Sequence, residues 1–258
     1  MLRPVLLFLL LSPAPAHAAD LYGEARLVSD YRFRGISRSH VRPAAQASLD
    51  LETGDVRAGL FISSLAGPST GGGRPPGAEA EVTLSAGYSR PLGLGTLDLG
   101  LSLYTFPGSN HASSVLEAEA RLRGTIGPLH LTAGGAWAPA QAGLALRSGA
   151  RAGSLHGWGA ARVDVLGTPL SLNARLGHTR GAPGLTGGRA LLGTARLWDW
   201  RLGADYAAGP FTFGAALTGT DLGRARANAL GLNEAGLSPS AGRNLAGTGV
   251  VLSLSAGF

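Results

Sequence analysis

From Leu21 to the terminal Phe258, apolar and polar residues alternate in segment after segment, and this pattern constrains the fold more than any other feature. Alternation at period two places one residue class on each face of an extended strand, whereas a helix needs a period near 3.6. In the first segment Leu21, Gly23, Ala25, Leu27, Tyr31 and Phe33 share one mostly apolar face, and Glu24, Arg26, Asp30, Arg32 and Arg34 share the other. Twelve segments carry the pattern: 21–34, 43–52, 55–65, 79–90, 96–106, 114–124, 128–137, 155–165, 169–179, 197–208, 210–219 and 248–258. Most have the roughly 10–12 residues that cross a bilayer at a tilt, about twice the average globular strand. A soluble sandwich would bury the apolar face, while a membrane barrel turns it to lipid and the charged face to a lumen.

The connections favour the barrel. Thr53-Gly54, Arg90–Gly95, Thr125-Ile126-Gly127, Leu166–Thr168 and Ala208-Gly209 are tight, and they alternate with longer connections, up to 220–247. Short periplasmic turns alternating with long extracellular loops are a property of outer-membrane barrels, and a sandwich has no reason to sort its loops by parity. An even strand count puts both termini on one side. The last segment places Val250, Leu252, Leu254, Ala256 and Phe258 on one face and ends on an aromatic ring. Such a strand resembles the signal read by the barrel-assembly machinery of the outer membrane. The alternation assigns Tyr31, Phe33, Trp137, Trp198 and Trp200 to an outer aromatic girdle and Tyr88, Tyr206, Phe211 and Phe258 to an inner one.

Composition removes the competing classes. The chain has no cysteine, so disulfides and thiolate metal sites are excluded. No stretch after the N-terminus reaches the 18 or so apolar residues of a membrane helix. Residues 1–18 read as a signal peptide: Arg3, the apolar run Val5–Leu11, and an A-x-A cleavage site at Ala16-His17-Ala18. Residues 19–258 are then one barrel domain. The net charge of +6 would suit nucleic acid, but an exported chain does not meet it.

The stretch Leu27-Val28-Ser29-Asp30-Tyr31-Arg32-Phe33-Arg34-Gly35-Ile36-Ser37 resembles the opening motif of the TorF porin family, a proteobacterial group also described as a conserved domain of unknown function. Arg42-Pro43-Ala44, Ala86-Gly87-Tyr88 and Tyr104-Thr105-Phe106-Pro107-Gly108 follow in the family's order, so the resemblance covers about residues 21–108. It implies an outer-membrane pore without naming a solute.

Strand parity sorts the charges. The candidate pore-lining residues are Glu24, Arg26, Asp30, Arg32, Arg34, Asp50, Arg57, Glu117, Glu119, Arg121, Arg123, Arg162, Arg175, Arg201 and Asp205. Glu117, Glu119, Arg121 and Arg123 form the densest cluster, all on one face of one segment. Acids outnumber arginines on the wall, while the long loops hold Arg38, Arg42, Arg74, Arg147, Arg151, Arg180, Arg189, Arg196, Arg224, Arg226 and Arg243 against Asp221 and Glu234. These loop arginines would meet lipopolysaccharide phosphates, which guanidinium binds bidentately. A wall that leans acidic predicts weak cation preference unless loop arginines fold into the lumen.

The expected function is passive, weakly selective passage of small solutes or ions through an outer-membrane barrel. The alternative is a non-conducting structural or adhesive barrel acting through its loops. An enzyme is not expected: His40, His111, His130, His156 and His178 are scattered over different elements, with no nucleophile motif and no metal spacing. No cofactor is implied. A short helix near 144–151 is compatible with the loop sequence.

Overall fold

The structure, a computed structural model, describes residues 19–65, 78–109, 114–144, 150–182, 195–229 and 245–258. The signal-peptide assignment of residues 1–18 lies outside them, as do Arg74, His111, Arg147, Arg189, Glu234 and Arg243. The described chain begins with β1 (Asp20–Val28), followed by two short strands, β2 (Arg32–Phe33) and β3 (Ile36–Ser37). Then come β4 (Ala44–Thr53), β5 (Val56–Ser64), β6 (Ala80–Leu92), β7 (Gly95–Thr105), β8 (Val115–Ile126) and β9 (Leu129–Gln141). They are followed by β10 (Ala152–Asp164), β11 (Leu170–Gly181), β12 (Ala195–Ala208), β13 (Phe211–Thr220) and β14 (Gly249–Gly257).

Twelve of these, β1 and β4 to β14, close into one antiparallel barrel in which every strand pairs with its chain neighbours and β1 pairs with β14. Closure leaves no strand edge unpaired, the condition for sheet structure in lipid. The seam is finished by the terminus itself. Gly23 N–H donates to the Phe258 carbonyl at 2.8 Å and Phe258 N–H to the Gly23 carbonyl at 2.9 Å. The Phe258 ring lies where a Cβ on Gly23 would stand, 2.3 Å from it. Only glycine admits that ring over the seam.

One end of the barrel carries the tight turns. Gly54-Asp55, Gly93-Leu94, Gly127-Pro128 and Gly209-Pro210 each join two strands with glycine at positive φ in first place. That is the type II′ arrangement, whose twist matches the flanking strands; proline fits its second place. On the outside, Leu49, Leu84, Leu101 and Leu131 are exposed, as are Trp137, Trp198, Tyr88, Tyr206 and Phe211 near the two rims. These leucines therefore form an apolar belt and not the dry core of a sandwich. Pro139 sits in β9 where the register with β10 shifts, a bulge that accommodates a residue without an N–H.

Two expectations are corrected. The segment 21–34 is not one strand: β1 ends at Val28, and the chain turns into the lumen. Tyr31 and Phe33 therefore do not belong to the outer girdle; they pack inside against Phe61 and Tyr104, with ring centroids 6.0 Å apart in each pair. Among the described residues the helical turns are the 3-10 turn Ala142–Leu144 and α1 (Arg224–Ala229); the helix expected near 144–151 falls on residues 145–149, which lie outside the described chain.

Candidate functional site

The candidate site is the lumen, and its long-loop half is filled by residues 29–41. β2 and β3 form a hairpin turned by Arg34 and Gly35, both at positive φ, 50° and 77°. Positive φ at both central residues is the type I′ turn. A Cβ on Gly35 would come within 2.3 Å of the Gly219 carbonyl, so the hairpin tip is pressed against β13. Residues 34–40 are buried throughout.

Two ion pairs pin this hairpin to the wall. Arg34 donates twice to Glu117 on β8, at 2.9 and 2.7 Å. Arg38 pairs with Glu81 on β6, and Tyr31 donates to the same carboxylate at 3.1 Å. Within the hairpin, Asp30 accepts from Arg32 at 2.6 Å and from Ser37 at 2.5 Å. Arg32 also donates to the carbonyls of Gly35 and Gly247. Burial, reinforced by the Glu81 charge, holds the Tyr31 hydroxyl well above its ordinary pKa, which keeps it a donor. For Arg38, burial works against the charge but Glu81 more than offsets it. Small apolar clusters seal the surroundings: Ile36 with Leu197, Leu222, Ala227 and Ala246, and Phe33 against Val115, Ala138 and Leu144.

The placement of charge is corrected as well: Arg38, expected among the outer loops, stands buried in the lumen. Asp30, Arg32 and Arg34 also move from the strand wall to the inner hairpin. The physical reason is shared. A barrel of about twelve strands is wide enough to admit a hairpin, and arginines enter such a space only where carboxylates meet them.

Away from the hairpin the charges pair along the wall, and those beside the tight turns, such as Arg162 and Asp164, are the most exposed. Glu119 and Arg121 are 2.6 Å apart. Arg123 makes two bonds to Asp98, at 2.5 and 2.8 Å, and Asp98 also accepts from Ser89 at 2.6 Å. Arg162 meets Asp164 at 3.0 Å, and His130 meets the same carboxylate at 3.0 Å. Arg175 donates to Asp199 at 3.2 Å and to His156 Nε2 at 3.0 Å. A guanidinium can only donate, so Nε2 accepts, and the ring proton sits on Nδ1, 2.8 Å from Thr179 Oγ1. Glu24 and Arg26 stand 3.9 Å apart. Arg201 has a long contact to Asn173 Oδ1 at 3.4 Å, while Asn173 donates to Asp205 at 2.7 Å. Asp50 lies over Gly59 and Arg57 over Gly87, each filling the space a Cβ would take.

The sequence reading did not single out Glu81, Asp98, Asp199, Tyr31 or Tyr104 as site residues. Parity puts Glu81, Asp98 and Asp199 on the inner face, but their partners lie 43, 25 and 24 residues away in sequence, beyond any local spacing rule.

The described residues line two spaces in the lumen. One, of about 270 Å3, lies between the hairpin and the wall of β1, β12 and β14. The other, of about 590 Å3, is lined by Arg123, His130, Arg162 and Asn173; Arg175 and Arg201 line both.

A family model described as a bacterial protein of unknown function (Gcw_chp) matches residues 13–236. Among solved structures the chain is similar to a KdgM porin at 9% identity, covering 92% of this chain and 99% of that one, with a TM-score of 0.53. A NanC porin gives 10% identity, 92% and 98% coverage, and a TM-score of 0.52. The COG4313 outer membrane channel from Pseudomonas putida F1 gives 16% identity, 95% and 96% coverage, and 0.51. No curated protein matches the chain. At these identities the likeness is one of fold. A closed twelve-stranded barrel with an apolar outer belt is an outer-membrane barrel, set among lipid and lipopolysaccharide.

Proposed function

Starting from the fact that the chain belongs to the Gcw_chp family of bacterial proteins, we propose that it is a narrow outer-membrane channel for small solutes or ions. The observation that carries this reading is the lumen below the hairpin, where Arg123, Arg162, Arg175 and Arg201, with His130 and Asn173, line an unfilled space of about 590 Å3. A wall meant only to be packed would be expected to carry apolar side chains there. The resemblance of residues 27–37 to the TorF porin motif supports the same reading. The tight turns are then periplasmic, the arginines of the long loops face lipopolysaccharide, and the Phe258 strand addresses the assembly machinery. No catalytic role is assigned: both ring nitrogens of His156 are engaged, and His130 is bound to Asp164 at the rim.

A second reading, a non-conducting barrel working through its loops, is favoured by the apolar clusters around the hairpin. Planar-bilayer recording of the purified protein decides. The channel reading expects small unitary currents that grow when the double variant Glu81→Ala, Glu117→Ala releases the hairpin. Silence in both proteins would favour the second reading.

A further inference from the structure

The smaller lumen space carries an excess of positive charge that the wall does not neutralise. Five arginines line it, Arg26, Arg32, Arg34, Arg175 and Arg201, against two acids, Asp30 and Asp199. Arg32 is committed to Asp30, Arg175 to Asp199, and Arg34 to Glu117. Arg26 and Arg201 are left over. Among the described residues the one carboxylate within ion-pairing distance of Arg26 is that of Glu24, at 3.9 Å, and Arg26 Nε has no hydrogen-bond partner. Arg201 has no carboxylate within ion-pairing distance among the described residues, and the nearby Asp205 already accepts from Asn173.

The arrangement is also repulsive. Arg201 stands directly opposite Arg175 in the β11–β12 register, and Arg26 lines the same space. Like charges facing each other across strands are unfavourable by themselves. A cluster that is costly when empty becomes favourable once an anion sits among its members, because guanidinium groups bind carboxylate and phosphate oxygens in bidentate fashion. The space, at about 270 Å3, equals the liquid volume of roughly nine waters, enough for one small organic molecule.

We propose that Arg26 and Arg201, with Arg175 behind them, form a binding site for a small organic oxyanion, a carboxylate or a phosphate ester. Arg175 and Arg201 line both lumen spaces, which places the site between them. As a solute site it rests on the channel reading above; as a binding site it is measurable without conduction.

The test is equilibrium binding to the detergent-solubilised full barrel by calorimetry, with glucuronate, glucose 6-phosphate and glucose as probes. Conductance is recorded separately on the same preparation. Glucuronate or glucose 6-phosphate should bind while glucose does not, and whichever binds identifies the oxyanion. Arg26→Gln and Arg201→Gln should each weaken that binding by about tenfold or more, the worth of a charge-assisted hydrogen bond. Arg42→Gln, at an exposed position outside the barrel wall, should leave it unchanged. Heat-modifiable migration confirms that each variant is a folded barrel. If Arg201→Gln fails to assemble, Arg201→Lys and Arg26→Gln decide, the lysine keeping charge but losing the bidentate fork. No binding of either anion, or equal binding by both glutamine variants and the native protein, overturns the site. Binding without conductance would retain the site and discard the channel; conductance without binding would do the reverse.

Discussion

The two halves of this lumen use the same residue types and reach opposite results. Near the long loops, Arg38 and Glu81 are 2% and 1% exposed and hold a hairpin in place. Near the tight turns, Arg162 and Asp164 are 57% and 47% exposed, and with His130 they form a cluster that pins no other backbone. The chemistry of each pair is an arginine beside a carboxylate. What differs is water. In the dry half each charge depends on its partner, because solvent cannot replace it. In the wet half solvent competes with the partner at little cost. Alternating charges on a barrel wall therefore do not by themselves mark a pore; the backbone that folds in front of them decides which charges become structural.

Glu81→Ala should have the largest effect. It leaves Arg38 buried and unpaired, and removal of one partner of a buried pair costs about 3–5 kcal/mol. The hairpin should leave the lumen, so trypsin should cut at Arg32, Arg34 or Arg38 in the folded barrel. Replacing both partners with methionine should restore most of the protection, since a filled apolar pair removes the orphan charge. Unchanged trypsin resistance in Glu81→Ala would show that the hairpin is held by its packing and not by the pair.

The outer surface offers a reference next in size. Leu101 faces lipid on β7 and is 52% exposed. Leu101→Arg should cost about 2–4 kcal/mol if it lies near the bilayer midplane. Ser102→Arg turns into the lumen, where water and the acids of the wall receive it. Equal assembly yields for the two would contradict the facing. Between the extremes stands Asp98, itself 1% exposed but bound to an Arg123 that is half in water. Asp98→Asn should cost about 1–3 kcal/mol, the worth of a buried charge-assisted bond, with Arg123 free to turn into solvent. A melting shift as large as that of Glu81→Ala would move the boundary of the dry half toward the tight turns.

The barrel was legible because a membrane imposes it on every strand: Leu97, Leu99, Leu101 and Leu103 must alternate with lumen residues for β7 to exist there. The tight turns were legible because Gly127 and Gly209 precede prolines that suit the same turn. The hairpin was hidden by continuity. Tyr31, Arg32, Phe33 and Arg34 keep period two across the true end of β1 at Val28, so parity ran through it. The local sign was Arg34-Gly35 between Phe33 and Ile36, a two-residue turn flanked by apolar residues. No local sign links Arg38 to Glu81, since the fold alone brings them together. The expected cation preference took the whole wall to face the ions; Arg34 and Arg38 instead neutralise Glu117 and Glu81, and the narrow space beside the hairpin is lined by five arginines against Asp30 and Asp199. Reversal potentials in a salt gradient should therefore show weak anion preference. A cation preference would mean that the narrowest point lies among Glu24, Asp50 and Glu52 nearer the tight turns.

The smallest expected effect is the most discriminating control. Arg162 and Asp164 sit beside His130 at the wet end, joined by bonds of 3.0 Å that look as good as those of the hairpin. Geometry alone would rank this cluster with Arg34 and Glu117. Exposure ranks it far below, because each group is nearly as well solvated alone as together, and salt screens what remains over about 8–10 Å. Arg162→Gln should melt with the native barrel, and should do so at low and high salt alike. Its effect on conductance should be confined to low salt, where a fixed charge at the mouth still alters the local ion concentration. A marked loss of stability in Arg162→Gln would mean that the tight-turn half is as dry as the other, and the division of the lumen into two regions would fall.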